Sequence, residues 1–227
     1  MIIKQPKKKK FGWMPNSTFL LKIMQSNLAI LAINWIFQGM RGMQSKELSF
    51  RILFEIIMII FFYHFIFINI FDLWENLLFS LISAHSINWL FNTHLWVCVR
   101  YFEIYRRNPD SLRVFLSNVS KQIEGISWID SAVCIGSIGD KGDVNTWRSD
   151  IDLRLFFKPG VFNYLKMNFY LLYLRTQALF TIIPLDLYAY NHISFLDNFK
   201  KGEGMILIKD ADGQIKINYP DKIKQIL

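Results

Sequence analysis

Ile135-Gly136-Ser137, then twelve residues, then Asp150-Ile151-Asp152-Leu153: this stretch decides how the C-terminal half of the chain is read. Residues 128–135 (WIDSAVCI) and 150–157 (DIDLRLFF) have the length and residue types of strands. Successive side chains of a strand point to opposite faces. Asp150 and Asp152 therefore project together, while Ile151, Leu153 and Leu155 fall on the other side. Two neighbouring carboxylates repel and raise each other's pKa unless a cation intervenes. A hard divalent ion with oxygen ligands meets that need, and magnesium also bridges to phosphates. Gly136 and Ser137 can bring backbone N–H groups and a hydroxyl up to a phosphate, because glycine has no Cβ in the way.

Outward from this stretch the pattern alternates. A helix is expected over 111–124, a glycine-bearing loop over 136–148, a helix over 161–179 and a third strand over 181–189, which carries Asp186. The end reads as a hairpin: MILIK at 205–209, the turn Asp210-Ala211-Asp212-Gly213, then QIKIN at 214–218. The composition changes at Asn108-Pro109-Asp110. Pro109 disfavours helix at the residue before it, and Asp110 or Ser111 can cap a new one. The chain thus divides at 107/108, and residues 108–227 hold a complete α+β pattern.

Residues 1–107 are different. The protein is 52% hydrophobic and 16% aromatic, with 21 Phe and 7 Trp. Residues 1–107 carry 12 Lys/Arg against 5 Asp/Glu, whereas residues 108–227 carry 14 against 13. A nucleic-acid binder would place its basic excess on the recognising domain, so nucleic acid is not the expected partner. The run Lys7-Lys8-Lys9-Lys10 suits anionic lipid, at about 1 kcal/mol per residue near the surface, with RNA phosphate the competing reading. It is not followed by a short apolar core and cleavage site, so it does not read as a secretory signal. Residues 18–38 read as one helix with Ser17 as cap, with Asn27, Asn34 and Gln38 on one face and Gly39 at its end. Residues 52–71 and 77–99 are apolar runs of bilayer-spanning length. Arg51 precedes the first, Arg100 follows the second, and the link between them holds only Asp72 and Glu75. That is the charge pattern of a membrane hairpin with both ends cytoplasmic. Glu55, His64, His85 and His94 are costly in lipid and also fit a soluble helical bundle or a helix lying in the interface; His85, Asn88 and Asn92 share one face. Cys98 and Cys134, each alone in an apolar stretch, read as reduced, buried thiols rather than zinc ligands.

Gly136-Ser137 followed by Ser149-Asp150-Ile151-Asp152-Leu153 resembles the signature of the DNA polymerase beta-like nucleotidyltransferase superfamily, above all its small, minimal members. Ile183-Pro184-Leu185-Asp186-Leu187 matches that family's third acidic position, and Gly202-Glu203-Gly204-Met205-Ile206-Leu207 resembles its closing strand. The resemblance covers about residues 110–218. It implies a mixed sheet with helices, and Asp150, Asp152 and Asp186 as ligands of magnesium or manganese. Gly136 and Ser137 would bind phosphates, and Asp186 would help deprotonate an acceptor hydroxyl. The implied reaction joins a nucleoside monophosphate, from an NTP such as ATP, to an acceptor and releases pyrophosphate. The spacer is longer than is common and holds Asp140, Lys141, Asp143 and Arg148. Lys141 and Arg148 are candidate triphosphate clamps, or solvated loop charges. His192 follows the third strand and is a candidate to approach the site.

Three functions fit these residues. The first is a transferase on the cytoplasmic side of a membrane, acting on a lipid-linked sugar or membrane protein. The second is a cytoplasmic, toxin–antitoxin type nucleotidyltransferase modifying a partner protein. The third is a nucleotide-binding membrane adaptor without turnover.

Overall fold

The computed structural model describes residues 18–38, 43–68, 70, 72–92, 94–102, 105, 108–141, 149–198 and 203–227. The lysine run, Ser17, Gly39, Asn69, Asp143, Arg148 and Gly202 lie outside the described residues. In chain order the first helices are α1 (Thr18–Met24), α2 (Asn27–Phe37), α3 (Ser45–Phe61), α4 (Leu73–Phe91) and α5 (His94–Val99). The helix expected over 18–38 is broken at Gln25-Ser26: the Ser26 hydroxyl accepts from Ala29 N and caps a new helix instead of continuing the old one. At the other end Gln38, with φ 45°, takes the left-handed conformation. The helix α3 begins seven residues earlier than its apolar run and continues as a π-turn over Phe62–Phe67.

The run expected over 77–99 is divided between two helices, α4 and α5. Among the described residues one helix, Ser45–Ile66, is long and apolar enough to cross a bilayer. The reason α4 falls short lies in its polar residues. Asn76, Ser80, Ala84 and Asn88 recur every fourth position, are buried, and form one face. That face meets α3: Asn76 Nδ2 donates to Tyr63 O, and Asn88 Nδ2 donates to Glu55 Oε2 at 2.8 Å. The apolar residues point outward, with Trp74, Leu77, Leu78, Leu81 and Ile82 all exposed. The helix α2 joins through the same chemistry. Trp35 Nε1 donates to Ser86, Trp89 Nε1 donates to Asn34, and His85 Nε2 lies 2.9 Å from Trp35 O.

Next come α6 (Pro109–Glu124), β1 (Ile129–Ile135), α7 (Gly136–Lys141), β2 (Ile151–Phe157), α8 (Val161–Phe180), β3 (Leu185–Tyr190), β4 (Met205–Asp210), α9 (Gln214–Asn218) and β5 (Ile223–Ile226). The five strands form one mixed sheet in the order β3-β2-β1-β4-β5. The β1 strand is antiparallel to both β2 and β4, while β2/β3 and β4/β5 are parallel. Asn108 caps α6 by accepting from Asp110 N, with Pro109 in the first turn. Leu112, Leu116, Val119 and Ile123 then form its core stripe. With Met167, Leu171 and Leu174 of α8 they cover Ile151, Leu153 and Leu155 on one face of the sheet. On the other face Val133, Ile135, Phe156, Tyr188 and Tyr190 pack with Leu196 and Ile215.

The loop expected over 136–148 opens with the short helix α7. The second hairpin strand expected at 214–218 is helix α9. The Asp210 carboxylate accepts from the backbone N–H of Ile215 and of Lys216, and Gly213 turns the chain at φ 68°. This local cap satisfies the first-turn donors, which alternation alone does not register. The partner of β4 on that side is β5, in parallel.

Contacts run across the 107/108 boundary. Glu47 Oε1 of α3 accepts from Arg51 and Arg175 at 2.7 Å each, with all three side chains 3–4% exposed. Arg175 also donates to Leu187 O, so a helix–helix ion cluster caps a carbonyl of β3, an edge strand. Trp96 Nε1 donates to Leu179 O and Tyr105 to Ile182 O.

Candidate active site

The parallel register sets Asp152 of β2 directly beside Asp186 of β3, and the antiparallel register sets Ile135 of β1 on its other side. Paired residues of neighbouring strands share a face at about 4.8 Å strand spacing, so the two carboxylates stand together at the start of the parallel pair. Asp150 stands one residue before β2, where Ile151 N donates to Pro184 O and aligns the two strand starts. Gly136 follows Ile135 with φ +71°. A Cβ there would fall 2.0 Å from Asp152 Oδ2. Only glycine permits this backbone to lie against the carboxylate. Gly139, one turn on, is equally constrained, because a Cβ would meet Cys134 O and Gly204 O. Both approaches press α7 onto the β1 end.

Burial pushes the Asp152 carboxyl well above the usual carboxylate range, and the charges of Asp150 and Asp186 push it further. Two arginines answer that charge. Arg154, two residues after Asp152 and on the same face, donates to Asp186 Oδ2 at 2.9 Å and to Asp186 O at 2.7 Å. Its guanidinium also lies over the Tyr188 ring. Arg100, just past α5, pairs with Asp150. Burial works against both arginine charges, yet Asp186 and Asp150 outweigh it, and both guanidiniums are held above their ordinary pKa.

The donor set suits a hard divalent cation in kind: three carboxylates, one deeply buried and crowded by the other two. As the side chains stand, no three His, Cys, Asp or Glu groups among the described residues converge as a ready metal cage. Arg100 and Arg154 hold two of the three carboxylates. Ser137 is exposed on α7 beside Gly136, and Lys141 ends that helix. His192 is exposed, two residues past the end of β3. Cys98 and Cys134 are buried thiols, and burial pushes the Cys134 thiol up.

Sequence reasoning missed both arginines. Arg154 was legible, since Asp-x-Asp-x-Arg on a strand puts all three on one face. Arg100 was not, because its only sequence context is the end of an apolar run. No protein-family model, no curated protein and no solved structure matches the chain.

Proposed function

We propose that the chain is a metal-dependent nucleotidyltransferase, joining a nucleoside monophosphate to an acceptor at the cytoplasmic side of a membrane. The observation that carries the chemistry is the in-register pair Asp152/Asp186 with Gly136 packed against Asp152. Asp150, Asp152 and Asp186 would hold magnesium or manganese, which would supply charge neutralisation at the triphosphate. The chain's own residues do the rest. Gly136 lets the backbone lie against the carboxylates, where its N–H would meet phosphate oxygens, and Ser137 offers a hydroxyl at the same turn. Arg154 fixes the orientation of Asp186, which would take the acceptor proton. Arg100 balances the charge of Asp150.

The membrane half of the reading is supported by the inverted polarity of α3 and α4. In the most apolar stretch of Ser45–Ile66 only 6% is buried, whereas the core helix of a soluble protein would be mostly buried. Polar side chains of α4 face α3, and apolar ones face outward. Association through polar and small residues with apolar residues outside is what a lipid surround favours.

The test is incubation of the full chain with each labelled NTP, magnesium and membrane extract. Label is expected in the membrane fraction and is lost with Asp152→Asn. Turnover that survives this substitution refutes the catalytic assignment. Label on a soluble protein moves the acceptor to a cytoplasmic partner.

A further inference from the structure

The helix α8 is apolar on two opposite sides. Its inner side, Met167, Leu171, Leu174 and Ala178, is buried against the sheet. On the outer side Phe162, Leu165, Phe169, Tyr173 and Phe180 recur at steps of 3, 4, 4 and 7 and share one face. That face is bare: Phe162 is 78% exposed, Phe169 60% and Phe180 76%. A surface helix of a water-soluble domain carries polar residues there, and an exposed apolar stripe marks an interaction surface.

Hairpin residues Phe50, Arg51, Phe54, Asn88 and Asn92 meet α8 at Asn168, Leu172 and Arg175, in its middle. The Phe50 ring lies edge-on to Phe169 at 5.3 Å. The bare stripe is therefore continuous with the outward apolar surface that begins at Leu53. Both ends of α8, about 30 Å apart, run past this crossing with Phe162 and Phe180 exposed. Lys166 is exposed on α8, Lys158 is exposed three residues before it and pairs with Asp130 at 3.5 Å, and Lys46 sits over the Tyr164 ring.

We propose that α8 is a second membrane contact, lying in the lipid interface across the base of the α3/α4 hairpin, with its basic residues at the level of anionic headgroups. This rests on the membrane reading above. It also orients the chemistry. Asp152 and Asp186 occupy the sheet face opposite α8, so they open away from the lipid, toward an acceptor whose hydroxyl stands clear of the bilayer.

The test uses the full chain in vesicles of phosphatidylcholine and phosphatidylglycerol with brominated acyl chains. An environment-sensitive fluorophore is attached at Leu165→Cys on α8, at Leu53→Cys on the hairpin, or at Val114→Cys, an exposed control on α6. The native Cys98 and Cys134 are fully buried and do not compete. The expected result is strong quenching at 165 and 53 and none at 114. Quenching at 53 with none at 165 overturns the α8 contact and leaves the hairpin in lipid. Quenching at 165 alone supports α8 and overturns the hairpin. No quenching at either overturns both, and an intermolecular disulfide formed by the unlabelled Leu165→Cys variant then assigns the stripe to self-association.

Discussion

Glu47→Gln is the most discriminating perturbation of the fold. One carboxylate oxygen accepts 2.7 Å bonds from Arg51 and from Arg175, and water reaches none of the three side chains appreciably. The glutamine keeps the volume but removes the only anion among the three, leaving two buried guanidiniums opposed. Breaking a buried pair by removing one partner costs about 3–5 kcal/mol, and here one anion serves two cations, so the upper end applies. At about 2–4 °C per kcal/mol for a chain of this size, the midpoint falls by about 10–20 °C. The assay is thermal unfolding in detergent micelles followed by far-ultraviolet circular dichroism. Adding Arg51→Met removes one of the opposed cations and recovers part of the loss. A Glu47→Gln midpoint within about 2 °C of the parent, a cost of about 1 kcal/mol or less, refutes the reasoning. Residues 108–227 expressed alone carry Arg175 without Glu47 and are expected to melt below the whole chain for the same reason.

Three further outcomes follow from the site and its support. Asp152→Asn abolishes transfer, and in chelator it also changes pH dependence. Because the folded carboxyl is raised, the folded protein keeps a proton that the unfolded chain gives up. The parent therefore loses about 1.4 kcal/mol per pH unit from the ordinary Asp pKa upward until the folded group ionises, and the Asn variant does not; equal pH profiles refute the crowding of Asp152. Gly136→Ala sets a Cβ against Asp152 Oδ2 at a positive φ. Loss of nucleotide binding is expected, with about 1–2 kcal/mol of strain, and unchanged binding by titration calorimetry shows that α7 does not lie where described. Asp210→Ala frees the amides of Ile215 and Lys216, at about 0.5–2 kcal/mol, and their hydrogen exchange should accelerate ahead of the β4 amides; unaltered exchange removes Asp210 as the cap of α9.

Alternation alone places β1, β2 and β3 within a few residues. It puts Asp152 on a face with Arg154, because the period of a strand is local and follows from backbone sterics. The start of α6 is just as legible in Asn108-Pro109. The second strand expected of the terminal hairpin is a helix: QIKIN alternates like a strand, but the Asp210 carboxylate, a few residues upstream, captures the amides of Ile215 and Lys216. Similarly, hydropathy finds two long apolar runs but not that α4 turns its polar residues inward and breaks before α5. Which carboxylates meet is a matter of register between β2 and β3, whose strands are separated by the whole of α8, and pairing at that separation is decided by packing. Arg100 and Glu47 come from the other side of the 107/108 boundary and reach Asp150 and Arg175. No local pattern contains such contacts. Residue order carries the available chemistry and the faces that bear it; packing sets which charges neutralise one another, because that depends on distances between residues far apart along the chain.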